Sequence, residues 1–168
     1  MTARQINKRK VLEALHARVQ ETLVTLTASQ KTIQSGAVHE ETRQEDPKDT
    51  RAIEAGYLAR GLAERVETLK ETIAALRALR LRSFGPEDPV ALTAIVALVT
   101  LDVPDAEETL YFLVPSAGGE RLVIDDVTLH SVTPSSPVGR ELVGRTVDDE
   151  VEVELPGGLR KATIAWAL

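Results

Sequence analysis

The chain has 168 residues, a formal net charge of −6 and no cysteine, which excludes a disulfide framework and a thiolate metal site. Its three histidines, His16, His39 and His130, are too scattered to indicate a metal site. We find no signal peptide at the N-terminus, and the longest apolar stretch, residues 90–101, is too short to span a membrane. We therefore expect a soluble, cytoplasmic protein without membrane contact and without an intrinsic cofactor.

The charge is divided unevenly along the chain. Residues 1–83 carry 15 basic against 11 acidic residues, whereas residues 84–168 carry 5 basic against 15 acidic ones. Such a split is typical of a protein whose two halves meet different partners, and solubility alone would explain it equally well.

The first predicted element is a long helix. Residues 3–35 contain neither proline nor glycine. Apolar residues recur at steps of three, four and seven, which marks one helical face; they are Leu12, Leu15, Val19, Leu23, Leu26 and Ile33. The stripe is narrow, which predicts packing against one partner helix rather than burial in a globular core.

A second helical stripe follows a breaker region at residues 35–47. It comprises Ile53, Tyr57 or Leu58, Leu62, Val66, Leu69, Ile73 and Leu76, and Leu79 can continue it for a last turn. From Leu62 to Leu76 the steps alternate between four and three, as in a coiled-coil seam. A short connection makes the two helices antiparallel neighbours. The sequence thus predicts a coiled-coil hairpin over residues 1–83, with its tip near residues 36–49 and a reach of roughly 50 Å.

Residues 84–168 have the pattern of strands, after Gly85-Pro86 ends the second helix. Strand candidates are residues 92–101, 109–114, 122–130, 150–155 and 161–166, and Pro156-Gly157-Gly158 predicts a tight hairpin between the last two. Ser136 as a cap, Pro137 in the first turn and Gly144 at the end predict one short helix. The predicted fold class is α+β, a helical hairpin followed by a small antiparallel sheet domain.

The turn of the predicted hairpin is acidic. It contains Glu40, Glu41, Glu45, Asp46 and Asp49. Carboxylates at the end of a rod can deliver the oxygen ligands that suit Mg²⁺. Asp46 and Asp49 are also well explained as a helix start, with Asp46 as the cap before Pro47. The three glutamates are not needed for that cap, and they point either to function or to solvated charge.

The segment from Val132 to Arg145, Val-Thr-Pro-Ser-Ser-Pro-Val-Gly-Arg-Glu-Leu-Val-Gly-Arg, resembles the Gre transcript-cleavage factors of bacteria. In that family a Ser-Pro-hydrophobic-small-Arg-x-Leu-hydrophobic-Gly segment precedes a Gly-Asp-type turn and a strand that ends in Pro-Gly-Gly. Here residues 148–158 continue the match. The family also has an N-terminal helical hairpin and a C-terminal sheet domain that resembles the FK506-binding-protein fold, so the resemblance covers nearly the whole chain.

The resemblance implies a partner and a mechanism. Gre-like factors bind RNA polymerase near the rim of its secondary channel through the C-terminal domain, and the hairpin enters the channel. Acids at the tip help to hold a second Mg²⁺ and position water, so that the polymerase hydrolyses backtracked RNA and the factor itself is not an enzyme. We expect a monomer that shares Mg²⁺ with the polymerase, contacts nascent RNA indirectly, and meets DNA only through the polymerase.

Ser135, Ser136, Pro137 and Arg140 match the polymerase-facing loop of that family and are the candidate docking residues. For each of them, turn and helix-cap chemistry is an equally good explanation. Basic residues toward the hairpin base are predicted to form a solvated helix face, with contact to RNA or to an acidic polymerase surface as the alternative; they are Lys8, Arg9, Lys10, Arg77, Arg80 and Arg82.

The tip departs from the family pattern, which reads Asp-Leu-Ser-Glu-Asn. An ungapped match anchored on residues 63–66 puts the family's Asp at Glu45 and its Glu at Lys48. A shift of one residue restores an acidic pair at Asp46 and Asp49. Glu45, Asp46 and Asp49 are therefore the candidate residues that assist catalysis in trans. Asp46 and Asp49 are candidate Mg²⁺ ligands only within the polymerase complex.

Other functions fit parts of the sequence. A channel occupant that modulates or inhibits the polymerase without cleavage fits the altered tip. A coiled-coil chaperone or adaptor fits the hairpin, but it leaves residues 132–158 unexplained. A prolyl isomerase fits the fold analogy, although such enzymes line their pocket with several aromatic residues and this half of the chain has few.

Overall fold

The computed structural model describes residues 6–41, 50–103, 106–155 and 158–168, and the side chains of residues 34, 36–41, 50–52 and 155 are not among those described. Its helices are α1 (Lys8–Glu41), α2 (Thr50–Ala78) and α3 (Pro137–Leu142). Its strands are β1 (Ile95–Thr100), β2 (Thr109–Leu113), β3 (Arg121–Ile124), β4 (Val127–Val132), β5 (Glu150–Leu155) and β6 (Gly158–Ala167). This is the predicted α+β class, with two long helices before a sheet domain.

The described residues form two compact units that do not follow chain order. One unit is Ala17–Ala74, and the other contains the chain up to His16 and from Ala75 onward. The second of these units therefore includes the sheet, the N-terminal part of α1 and the C-terminal end of α2. The predicted boundary between residues 83 and 84 divides the chain into two consecutive segments, a different kind of division from these units. That boundary stays a prediction. None of the described helices combines the length and apolarity needed to cross a membrane.

The heptad seam of α2 is confirmed within both units. In the unit of residues 17–74, Val66, Leu69 and Ile73 are buried, as is Val19 of α1. In the other unit, Leu76 is buried together with Val11 and Leu15. There the Arg77 guanidinium donates a hydrogen bond to the His16 ring at 3.1 Å, which brings the start of α1 beside the end of α2 in antiparallel fashion.

The N-terminal part of the α2 stripe differs from the prediction. Ile53, Tyr57 and Leu58 are all more than half exposed, with Tyr57 at 69 %. Ala55 and Ala59 are the partly buried residues instead, and from them the alternation of four and three residues continues into Leu62. The prediction was wrong because it placed the largest apolar side chains in the seam, whereas the seam positions in this part of α2 are occupied by Ala55 and Ala59.

The six described strands form one sheet in the order β3-β4-β2-β1-β6-β5. Neighbouring strands are antiparallel except β2 and β4, which run parallel, so the sheet is mixed rather than purely antiparallel. The predicted strand at residues 122–130 is two strands, β3 and β4. Asp125 and Asp126 reverse the chain between them, both with positive φ (49° and 65°), as a two-residue hairpin turn of the primed type requires.

β1 lies at the middle of the sheet and is covered on both faces. Residues 95–98 are at most 2 % exposed, although alternate residues of a strand point to opposite faces. Leu142 of α3 and Phe84 join Val96 and Leu98 in the hydrophobic core. At the edge strand β5, Leu155 pairs with Gly158 of β6, and the predicted turn residues Pro156 and Gly157 lie outside the described residues.

The seam assignment predicts opposite outcomes at two positions of α2. We expect Leu69→Ala to lower the free energy of unfolding by about 2–4 kcal/mol, because it removes a buried side chain and leaves a cavity. Tyr57→Ala should change it by less than about 0.5 kcal/mol, since surface substitutions rarely do more. Urea titration followed by the helical circular dichroism signal measures both, and equal effects would contradict the seam.

Candidate functional site

The Ser-Pro segment forms the loop that joins β4 to α3. Ser136 has an extended backbone, and its hydroxyl accepts a hydrogen bond from the Gly139 amide at 3.0 Å, which confirms it as the cap of α3. The same hydroxyl donates to the Thr133 carbonyl oxygen at 2.7 Å. Ser136 therefore both starts the helix and closes the loop on itself.

Gly139 lets α3 lie directly on this loop. A Cβ atom at position 139 would stand 1.9 Å from the Thr133 carbonyl oxygen, so no side chain fits there without movement of the backbone. Gly118 approaches Thr133 from the other side, where a Cβ would lie 3.0 Å from the Thr133 methyl carbon. The loop is held between α3 and the turn that connects β2 to β3.

That turn is fixed from inside the domain by Ser131. The Ser131 side chain is buried, and its hydroxyl donates to the Ala117 carbonyl at 2.5 Å and accepts from the Glu120 amide at 3.0 Å. Sequence reasoning missed Gly118, Ser131 and Thr133 as supports of the loop. The one local signal was the Gly118-Gly119 pair, which indicates a turn but not what the turn touches.

The four candidate docking residues occupy this loop and the first turn of α3. Ser135, Pro137 and Arg140 are exposed, whereas Ser136 is half-buried and engaged in the cap. The Ser135 hydroxyl is 3.2 Å from that of Thr133. Within the described part of the chain, the Arg140 guanidinium has no carboxylate partner. The arrangement presents three side chains to solvent on a rigid base, which suits binding of another protein.

The candidate tip residues Glu45, Asp46 and Asp49 lie outside the described residues, and so does the predicted cap at Asp46. α1 ends at Glu41 and α2 begins at Thr50. Among the residues that the structure does describe, no group of three or more histidine or acidic side chains is placed to hold a metal ion. The role of the tip acids stays a prediction.

Comparison with known proteins identifies the family. Residues 86–166, which contain the sheet, α3 and the Ser-Pro loop, match the family model for the C-terminal part of transcription elongation factors GreA/GreB. Transcription elongation factor GreA of Bacillus velezensis is 30 % identical over 123 residues, which cover 73 % of this chain and 67 % of that protein. The chain belongs to the GreA/GreB family.

Two further relatives and one solved structure are similar to this GreA/GreB family member. GreA of Psychromonas ingrahamii is 26 % identical over 126 residues, covering 73 % of this chain and 72 % of that protein. The match to GreA of Geobacillus kaustophilus is 33 % identical but spans 43 % of this chain and 42 % of that protein. The crystal structure of GreA factor homolog 1 of Thermus thermophilus is 20 % identical, with a TM-score of 0.40 over 92 % of this chain and 95 % of that one.

The close approach at Gly139 predicts a specific sensitivity of the loop. We expect Gly139→Ala to lower the free energy of unfolding of the sheet domain by about 1–3 kcal/mol, as overpacking does. Fluorescence of Trp166, the single tryptophan, reports this unfolding because it lies in β6.

Gly61→Ala is the matched control, because nothing lies within 4 Å of the added carbon in the middle of α2. It should raise stability by up to about 1 kcal/mol through helix propensity. If Gly139→Ala were as harmless as this control, the loop would not be held by α3.

Proposed function

We propose that this protein is a polymerase-bound elongation factor whose hairpin enters the secondary channel and promotes cleavage of backtracked RNA. The observation that carries the proposal is the Ser-Pro loop, which lies inside the family-matched region and presents exposed side chains on a rigid support. RNA polymerase is the partner that a transcription elongation factor must meet. The factor acts there as a monomer in the cytoplasm, touching DNA only through the polymerase.

Docking is assigned to the surface formed by Ser135, Pro137 and Arg140. Arginine is enriched at the energetic centres of protein interfaces, and a preformed loop loses little conformational entropy on binding. The Arg140 guanidinium has no carboxylate partner among the described residues, and it would meet a carboxylate or carbonyl group of the polymerase. Ser136 contributes indirectly, because its cap holds the neighbouring residues in position.

The helices supply the reach. α1 has 34 residues and α2 has 29, which correspond to about 50 Å and about 45 Å of helix at 1.5 Å per residue. The residues that flank the seam of α2 are mostly charged or small, such as Glu64, Arg65 and Glu67. A seam that is satisfied by one partner helix leaves the remaining surface free for a water-filled channel.

The chemistry is assigned to Glu45, Asp46 and Asp49. Carboxylate oxygens are suitable ligands for Mg²⁺, and Asp46 and Asp49 form the acidic pair of the family tip when the match is shifted by one residue. A second Mg²⁺ shared with the polymerase would supply Lewis-acid activation of water for phosphodiester hydrolysis. The chain itself lends charge and orientation, and the hydrolysis remains an activity of the polymerase on nascent RNA.

A second candidate is a channel occupant that slows or blocks the polymerase without stimulating cleavage. It is favoured by Lys48, which stands where the ungapped register places the second acidic residue of the family tip. A lysine there would repel a divalent cation instead of binding it. Both candidates share docking and channel entry, and they differ only in the register of the tip.

Cleavage is tested with purified polymerase halted in a backtracked complex. We expect the wild-type protein to accelerate release of the 3′ RNA fragment. The double variant Asp46→Ala, Asp49→Ala should lose about 10- to 100-fold of this acceleration, the usual cost of removing groups around a catalytic metal. The double variant Glu64→Ala, Glu71→Ala removes two exposed acids of α2; it is the charge-matched control and should behave as wild type.

Absence of cleavage products with the wild-type protein would remove the first candidate. Slowed elongation in the same reaction would then support the second. Stimulation that persists unchanged in the double variant Asp46→Ala, Asp49→Ala would place the metal ligands elsewhere, with Glu45 as the next residue to replace.

Docking is tested by measuring the affinity of the protein for core polymerase. Arg140→Ala should weaken binding by about 1–2 kcal/mol, as loss of an interface arginine typically does, while Trp166 fluorescence reports unchanged stability. Arg121→Ala is the control, since Arg121 is an exposed arginine on the edge strand β3. Wild-type affinity in both Arg140→Ala and a Ser135→Ala, Pro137→Ala variant would contradict this docking surface.

A further inference from the structure

Three cations line a surface cavity at the start of α1. The cavity has a volume of about 340 Å³, and its walls include Lys8, Arg9 and Arg82 together with Asn7 and Ser83. Three aliphatic residues complete the lining, which contains no acidic side chain. All of these residues belong to the compact unit that holds the sheet.

Lys8 and Arg82 are held close to each other despite their like charge. The Lys8 ammonium donates a hydrogen bond to the Arg82 carbonyl oxygen and lies 4.8 Å from the centre of the Phe84 ring. The Arg82 guanidinium carbon is 5.1 Å from the same ring centre. Burial, and secondly the charge of Arg82, lowers the pKa of Lys8 from 10.5 to about 8. Contacts with a ring face and a carbonyl do not neutralise two cations.

Among the described residues, the three cations of the cavity lack an acidic partner, whereas other basic residues of the same unit have one. Lys10, two residues along α1, forms an ion pair with Asp125 at 2.8 Å, and Arg160 forms one with Asp102 at 2.5 Å. Residues 84–168 hold 15 acidic side chains, so carboxylates are abundant in this part of the sequence. Nevertheless, no carboxylate of the described residues pairs with the three cations of the cavity.

The backbone adds charge of the same sign. Asn7 caps α1, accepting hydrogen bonds from the amides of Arg9 at 3.0 Å and Lys10 at 3.3 Å, and the first turn of the helix contains no acid. The positive end of the helix dipole therefore coincides with three basic side chains, where acidic residues would be favoured. The three basic side chains and the helix end together favour an anion at this position.

We propose that this cavity binds a phosphate-bearing anion through Lys8, Arg9 and Arg82. Three cations exceed what a single carboxylate would neutralise, and a guanidinium beside an ammonium suits tetrahedral oxyanions. The volume lies at the lower end of the range of small-molecule sites. The phosphate comes either from a free phosphorylated compound or from the backbone of a nucleic acid. The site uses none of the residues assigned above to docking or to the tip.

The test is calorimetric titration of the full chain with inorganic pyrophosphate and, separately, with an eight-nucleotide single-stranded RNA, both at low salt. We expect Lys8→Met and Arg82→Met each to weaken binding by about tenfold, which is the worth of one charge-assisted hydrogen bond. Lys10→Met removes the same charge from the same helix end but lies outside the cavity, and it should change affinity by less than about twofold.

Binding of pyrophosphate identifies a site for free phosphorylated compounds, and binding of RNA alone identifies a nucleic-acid site with steep salt dependence. Either result supports the proposal if it is lost in the cavity variants and retained in Lys10→Met. The proposal is overturned if neither probe binds, or if Lys8→Met and Arg82→Met bind as wild type does. Because no polymerase is present, failure here leaves the proposed function untouched.

A second readout is the pH dependence of stability, because Lys8 has no carboxylate partner among the described residues. Its pKa is lower in the folded than in the unfolded chain, so the unfolded chain binds more protons between pH 8 and 10.5 and stability rises with pH across that window. The charged side chains around Lys8 are those of Arg82 and Arg9. Lys8→Met should therefore raise the urea midpoint at pH 7, by more than it does at pH 10. Destabilisation at pH 7 would show that Lys8 supports the fold, and would overturn its role as an unsatisfied anion ligand.

Discussion

The entry into β1 is the constraint on which the sheet-containing unit depends. Thr93 adopts a φ of 76°, which is costly for a β-branched residue, and it is nevertheless almost fully buried. Its hydroxyl accepts a hydrogen bond from the Arg82 amide at 3.0 Å, and its own amide donates to Leu113 at 2.8 Å. Two residues later, Ile95 and Leu168 exchange backbone hydrogen bonds at 3.1 and 2.9 Å. Thr93 therefore connects the segment after α2 to β2. It lies directly before the point where β1 hydrogen-bonds to Leu168.

The same junction connects the two surfaces to which we assign binding. Arg82, held by Thr93, borders the cationic cavity and lies over Phe84, which is part of the domain core. That core also contains Leu142 of α3, the helix that fixes the Ser-Pro loop. A backbone cost of about 1–3 kcal/mol at Thr93 persists because the surrounding hydrogen bonds and packing determine its conformation.

The elements were predictable from sequence where one local pattern decides them. The coiled-coil seam from Leu62 to Leu76, the cap at Ser136 and the edge strand β5 all follow from spacing or residue type. The failures arise where the prediction followed side-chain size instead of spacing, or missed a turn inside a strand pattern. Ile53 and Tyr57 are exposed because the seam position falls on alanine, and the pairing of β2 with β4 is parallel because of the turn at Asp125-Asp126.

The candidate site was predictable in its residues but not in its construction. The sequence offered docking or cap chemistry as alternatives for Ser136, and the structure shows that the cap is what positions the exposed Ser135, Pro137 and Arg140. The closeness of Gly139 to Thr133 has no local signature, since it depends on how α3 packs. For the tip acids, the choice between helix capping and metal binding remains a prediction about Asp46 and Asp49.

The central claim is that the hairpin places its tip at the active centre of the polymerase. Because the chain has no cysteine, Ser35→Cys introduces a unique thiol on the exposed surface of α1 shortly before the tip. An iron chelate attached there generates hydroxyl radicals that cut whatever lies nearby in a backtracked complex. Our account predicts cuts in polymerase segments that line the secondary channel and in the extruded 3′ RNA. Cuts confined to the outer surface of the polymerase, in a complex that still binds the protein, would contradict it.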